Sequence, residues 1–448
     1  MKRFDLRRLA NLGVRGVASI ADQGATAAIS FLASVFIGRH MGAEPLGIYA
    51  ITNVFVTLIR ALQSSLILEP MSVYGPRRAS EERDGYFSFL VGLETVWVGG
   101  LMLLLIGASA AVWALGRIDT PVVYALWAGA VFSFLSCFQF LLRRQFYIEF
   151  RQYLAMIQSL AFLLLVTAGF AVMWFYGSWT VVDVYVLLCV CSVVVCVVQG
   201  GRFWHRFRIP GRGDVRRYGS EHWSYGKWIL LTVPLGIVAY QGYFFFVGAL
   251  VSTEAAGLLK AAETLIAPFF QVAMGLSLML IPMASRNIDE MSVSAQRAYA
   301  VRLSIPLLGL ASVYGAAVYF GGGYALRALF GEHIEGAVAI VKIMALMPLV
   351  LAAPMPAGVV LSALRRADMR FLSQAMAVST TIFVGVPLVA FHGIHGAAIG
   401  LVLMEIVYTL AQWGCLFWLW RRRARLQPAE SNATTSHCEG ARADPARP

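Results

Sequence analysis

The chain has 448 residues, of which 59% are hydrophobic and only 13% charged, with a formal net charge of +12. A soluble domain carries roughly 25% charged residues, so a water-soluble fold of this length is excluded and a bilayer is the expected solvent. The basic residues fall in short clusters between long apolar runs, a pattern that points to anionic lipid headgroups and away from nucleic acid.

A membrane-spanning helix needs about 20 mostly apolar residues. On that measure the chain is an all-α integral membrane protein with twelve spans. The first six are expected near 14–38, 46–70, 86–114, 121–142, 154–176 and 183–201. The second six are expected near 227–251, 258–282, 302–322, 337–361, 371–391 and 396–420. The basic start (Lys2, Arg3, Arg7, Arg8) leads into an apolar run too long for a signal peptide, and reads as a retained first span. Residues 1–13 form a short basic N-terminus, 14–201 a first six-helix bundle and 202–226 a basic linker. Residues 227–420 form a second bundle, and the polar tail 421–448 is expected to be disordered. Interior prolines (Pro234, Pro268, Pro306, Pro348, Pro354, Pro356, Pro387) are expected to kink or open their helices.

Sidedness follows from the loop arginines. One set of connections holds Arg77, Arg78, Arg143, Arg144, Arg151, the cluster from Arg202 to Arg217, Arg365, Arg366 and the Arg421–Arg423 run, whereas the opposite set holds only Arg39, Arg117 and Arg327. Both termini are therefore expected in the cytoplasm. A shift of 210 residues lays Gly38, Glu44 and Gly47 on Gly248, Glu254 and Gly257, each at the turn between the first two spans of its half. With an even number of helices per half, this implies a parallel repeat about an axis along the membrane normal.

Polar side chains within spans are costly and face protein or water. Ser19, Asp22, Thr26, Ser30 and Ser34 share one face of span one, and Asn53, Thr57, Arg60 and Ser64 share one face of span two. Lys260, Glu263 and Gln271 line span eight, while span seven offers Thr232, Gly236, Tyr240 and Gln241. These four helices are expected to wall a polar cavity between the halves. Its substrate-binding candidates are Arg60, Lys260, Asn53, Thr57, Glu263, Gln271 and Gln241, and its ion-coupling candidate is Asp22. Asp22 has a competing reading as a structural partner, Arg60 being one choice, and Lys260 with Glu263 has one as a local ion pair. Six cysteines lack metal or disulfide spacing; Cys137, Cys189, Cys191, Cys196 and Cys415 lie in apolar segments and read as small core residues, and Cys438 lies in the polar tail. No cofactor or catalytic motif is found, and no sizeable external loop that could carry a polymerase or glycosyltransferase site.

The turn Arg39-His40-Met41-Gly42-Ala43-Glu44-Pro45-Leu46-Gly47-Ile48-Tyr49-Ala50 resembles that of the polysaccharide transporter family of bacterial oligosaccharide flippases. Residues 363–371 before span eleven and Gly393-Ile394-His395-Gly396-Ala397-Ala398-Ile399-Gly400 at span twelve support the likeness, which covers most of 10–420. Its superfamily also holds MATE exporters and the lipid II flippases, the latter with two further spans. The resemblance implies two six-helix bundles around a cavity that opens alternately to the two sides. It implies transport of undecaprenyl-pyrophosphate-linked oligosaccharides across a bacterial inner membrane by a monomer, without cofactor or nucleic acid. Anionic lipids and the polysaccharide polymerase and export machinery are the implied partners, with Arg60 and Lys260 as anion-binding groups. The rival expectation is a MATE-type exporter that uses Asp22 to couple cation entry to drug efflux.

Overall fold

The structure, a computed structural model, describes the backbone of residues 6–440 except 79, 150, 178, 205–206, 286–287, 289–290 and 332–333. Side chains are described over 21–424, apart from those positions and 77, 80–81, 202–204, 228, 232, 278–279, 282 and 367. Lys2, Arg3, Arg206, Arg286 and the end of the tail lie outside the described residues, as do the side chains of Ser19 and Thr232.

The described residues fold into helices without strands. The first bundle comprises α1 (Leu6–His40), α2 (Ala43–Tyr74), α3 (Ser80–Ala114), α4 (Thr120–Ile148), α5 (Gln152–Phe175) and α6 (Val181–Trp204). In the second, α7 (Arg212–Tyr240) bends by 49° at Gln241 into Gly242–Leu250, followed by α8 (Thr253–Ser285), α9 (Val293–Phe330) and α10 (Ala337–Ala363). Helical backbone reaches Gly440, broken at Gly393, which has φ 58° and ψ −136°. That left-handed backbone, which suits a residue without Cβ, folds the chain back and separates α11 (367–392) from α12 (394–440). Twelve helical segments result among the described residues, equal in number to the predicted spans, and eight of the helices, or nine with the bent α7, are long and apolar enough to cross a membrane, α11 and α12 counting as one.

Local chemistry accounts for the irregular places. Pro348, Pro354 and Pro356 stand at the starts of short helices, so α10 is a chain of three pieces. Pro234 and Pro306 are held inside α7 and α9. Ser64–Leu68 in α2 and Thr381–Gly385 in α11 form single π-turns. The backbone of α12 stays helical past the expected start of the polar tail. Large apolar side chains face outward, Phe320 being 84% and Phe391 83% exposed, a surface suited to lipid and not to water.

The repeat has a direct structural counterpart. α2 and α8 cross at the arginine-poor end with Gly47 against Gly257. A Cβ at Gly47 would lie 1.6 Å from the Thr253 carbonyl oxygen, and one at Gly257 would lie 1.8 Å from the Ala43 carbonyl oxygen. The two contacts are reciprocal, as in a two-fold interface, and 43 and 47 map onto 253 and 257 under the same 210-residue shift. Nearby, the Arg39 guanidinium donates to the Ala328 carbonyl at 2.8 Å, and Gly38 packs against the Phe330 ring. The bundles therefore meet tightly at the arginine-poor end.

At the other end, the N-terminal part of α7 clasps the first bundle. Arg78 pairs with Glu221 and lies over the rings of Tyr86 and Tyr218, at 4.2 and 4.3 Å from their centroids. His222 bridges the Leu66 carbonyl (2.8 Å) and the Tyr86 hydroxyl (2.7 Å). Much of the expected basic linker is thus packed helix. Burial pushes the His222 imidazole pKa down, with Arg78 adding to the shift and the Leu66 hydrogen bond opposing it.

Candidate functional site

A partly open cavity, with about 590 Å³ of non-atom space including its mouth, lies within the first bundle, walled by α1, α2, α4, α5 and α6. Arg60 reaches it from α2, whose apolar neighbours hold the helix in the core while Asn53 and Arg60 face inward. Arg143 reaches it from α4, because that helix runs on to Ile148 and carries Arg143 inside the bundle. The two guanidiniums share one aromatic ring: the Arg60 carbon lies 5.3 Å and the Arg143 carbon 4.4 Å from the Phe140 centroid. Ser30, Asn53, Ser136 and Gln139 add neutral polar groups.

Asp22 sits at the edge of this site, fully buried. Its carboxylate accepts from the Tyr147 hydroxyl at 2.6 Å, from Ser159 at 2.5 Å and from the Arg143 guanidinium at 3.5 Å. Arg143 also donates to the Thr26 hydroxyl at 2.7 Å. The partner of Asp22 is therefore Arg143 and not Arg60, which corrects the pairing the sequence suggested. Arg60 has no hydrogen bond or carboxylate partner among the described residues, so its charge is available to a ligand. Two arginines against one carboxylate leave the site with one positive charge in excess.

The remaining candidates divide. Gln241 and Glu263 line a second cavity, of about 580 Å³, in the second bundle, together with Tyr240, Phe244 and Phe270. Lys260 stands beside it, paired with Glu263 at 2.5 Å and 5.4 Å from the Phe244 centroid. Their spacing of three residues puts both on one helix face, so this pair is the local one read from the sequence. Thr57 is half-buried and lines neither cavity, and Gln271 is exposed on α8. The structure thus gathers Arg60 and Asn53 around one cavity with Asp22 at its edge, and Glu263 and Gln241 around another with Lys260 beside it. Among the described residues, the two groups belong to separate cavities.

Three residues were missed. Arg143 was read as a loop arginine because it follows the apolar run directly. Glu94 and Glu405 are lone acids within apolar spans, and that isolation was the available signal. Glu94 is fully buried, and its two carboxylate oxygens accept from the Gln63 amide nitrogen at 3.0 and 3.1 Å, the same nitrogen donating to the Cys137 carbonyl at 2.8 Å. Glu405 is buried without a partner among the described residues.

No family model matches the chain, and no curated protein sequence does. Solved structures do. An inward-facing MATE-family multidrug transporter of the MOP superfamily superposes with a TM-score of 0.73, over 92% of this chain and 99% of that one, at 11% identity. The fold is similar to that of this transporter. The lipid II flippase MurJ, in an inward closed conformation, gives 0.71 over 88% of this chain and 86% of its own, also at 11% identity. A MOP-superfamily transporter from Pyrococcus furiosus, with a binding pocket of reversed polarity, gives 0.61 at 12% identity, over 92% of this chain and 96% of that one. At such identities the likeness concerns architecture: two six-helix bundles in a multi-pass membrane protein.

Proposed function

We propose that the chain is a flippase that moves oligosaccharides linked to a polyprenyl diphosphate across a bacterial inner membrane, by alternating access and with both termini in the cytoplasm. The observation that carries this reading is the unpartnered Arg60 facing Arg143 across Phe140 in a cavity with excess positive charge. A diphosphate is an anion that two guanidiniums bind through forked hydrogen bonds, whereas a cationic drug would be repelled. This polarity is what disfavours the MATE-type exporter of cationic compounds. The opposite face of α2 supports the lipid-linked form of the cargo. Ile51 and Phe55 line a mostly apolar groove of about 1270 Å³ with Leu105, Leu126 and Phe245, where an isoprenoid chain would be solvated.

Unaided passage of such a headgroup is blocked because each unpaired polar group costs several kcal/mol in hydrocarbon. In this reading Asn53, Ser136 and Gln139 take the first sugar hydroxyls. Asp22 is the coupling residue of the first bundle, since its protonation would release Arg143 to the ligand. The glycine crossing of α2 and α8 is the outer gate. Lys260 and Glu263 belong to the wall of the second bundle, and the transporter works as a monomer beside the polymerase and export machinery.

The test is deletion of the gene followed by leaflet-resolved mass spectrometry of lipid-linked sugars. Accumulation on the cytoplasmic leaflet, reversed by the wild-type chain and not by Arg60→Ala, is the expected result. Sensitivity to cationic drugs with no such accumulation would replace this reading by the exporter.

A further inference from the structure

The second bundle contains a feature that the arginine site does not use. Glu405 on α12 is fully buried, and neither of its carboxylate oxygens has a hydrogen-bond partner among the described residues. It lines a cavity of about 640 Å³ formed by α7, α8, α10, α11 and α12, separate from the one that holds Arg60. Gln412, two helical turns further along the same face, lines it too. Its amide nitrogen donates to the Tyr408 hydroxyl at 2.6 Å, which leaves its carbonyl oxygen without a partner. Three acceptor oxygens on this face of α12 therefore lack a hydrogen-bond partner among the described residues. Leaving an ionised carboxylate so is costly, and such a group neutralises instead by taking up a proton.

We propose that Glu405 is an exchangeable proton-binding site of the second bundle, whose occupancy sets the charge of its cavity. A metal cation fits the surroundings poorly. The described residues hold no cluster of three or more acidic, His or Cys side chains, and hard cations ask for about six oxygens. Ser362 is already engaged, donating to the Gly358 carbonyl at 2.6 Å and accepting from Arg370 at 2.9 Å. Arg370 itself lines the cavity and repels a second cation, whereas a proton needs one oxygen. The charged and titratable groups that line the space with Glu405 are Tyr240 on α7, Arg370 on α11 and Tyr408 on α12. From α8 and α10 the lining carries Ser277 and Ser362 and no titratable side chain.

Arg370 is exposed at the start of α11, so the cavity reaches the arginine-rich end and water can deliver the proton there. Uptake forms one O–H bond on Glu405 and consumes one proton from that water, and release reverses it. With Glu405 ionised, its charge offsets that of Arg370. With Glu405 protonated, the cavity carries the Arg370 charge alone and attracts an anion. The site is independent of Asp22 and of what the cargo is.

Infrared difference spectroscopy on the full chain in lipid vesicles tests this without any cargo. A carboxylic C=O band should appear on acidification between about pH 9 and about pH 5 and shift in heavy water. The band should be lost in Glu405→Gln and kept in Glu94→Gln. If Glu405→Gln does not insert, Glu405→Asp should insert and move the band. A titrating spectrum unchanged by both Glu405 substitutions would overturn the proposal, and so would a Glu405 band that never exchanges. Displacement of the band by sodium at fixed pH would overturn it in favour of a metal-ion site.

Discussion

The tightest contact between the bundles gives the sharpest prediction. Real Cβ atoms essentially never come within 3.0 Å of another heavy atom, and a Cβ at Gly47 would lie 1.6 Å from the Thr253 carbonyl oxygen. In Gly47→Ala, α2 and α8 must therefore part by at least 1.4 Å, the difference between those two distances. A backbone oxygen cannot swing aside as a side-chain tip can, so the strain falls on the helix crossing. Overpacking of this kind costs about 1–3 kcal/mol, which shifts a two-state equilibrium by about 5- to 150-fold. The closed arrangement of the arginine-poor end should lose that much population. The assay replaces the native cysteines, places one cysteine at position 53 and measures its labelling by a water-soluble thiol reagent from the arginine-poor side. The rate should rise by that factor in Gly47→Ala and in Gly257→Ala. The double variant should add much less than the sum, because a single opening relieves both clashes. An unchanged rate in well-inserted single variants would refute the closed-gate reasoning.

Arg143→Ala strands a buried carboxylate at Asp22 and should cost about 3–5 kcal/mol of stability. Thermal unfolding in detergent should show most of the loss recovered in Arg143→Ala combined with Asp22→Asn, and no recovery would argue against the pair. Arg60→Ala should abolish transport while leaving membrane insertion and unfolding temperature near those of the wild type, since Arg60 has no hydrogen bond or ion pair among the described residues to lose and only the Phe140 ring contact goes with it. Asp22→Asn should retain cargo binding but lose the dependence of transport on the proton gradient, measured in vesicles with an imposed pH step. The His222 imidazole has a folded-state pKa below its ordinary value of 6.5, so its contribution to the α7 clasp is fully present above about pH 6.5 and lost as the pH falls through the lowered value. Protease accessibility around Arg78 and Glu221 should accordingly rise on acidification, and less so in His222→Gln.

Much of the architecture was legible because hydrocarbon imposes a length and a composition on every span. Gly47 and Gly257 announced the repeat, although only the structure shows that they touch each other. Asp22 and Arg60 were legible as intramembrane charges. Their partners were not, because a contact such as Asp22 with Arg143 joins helices 121 residues apart and depends on how those helices are rotated. Arg143 was hidden by its neighbours: an arginine pair after an apolar run looks like a loop, and nothing local says that α4 continues to Ile148. The Lys260–Glu263 pair was legible because spacing along one helix determines it. Gln271 and Thr57 carry the right chemistry on the expected helices but stand away from both cavities, which hydropathy alone does not reveal.

The central claim is that the Arg60–Phe140–Arg143 cavity binds an anionic, lipid-linked headgroup. Native mass spectrometry of the purified chain with a polyprenyl diphosphate-linked sugar tests it most directly. The account predicts a complex that survives against excess cationic amphiphile and is lost in Arg60→Ala. Equal binding by that variant, or preference for the cation, would contradict it.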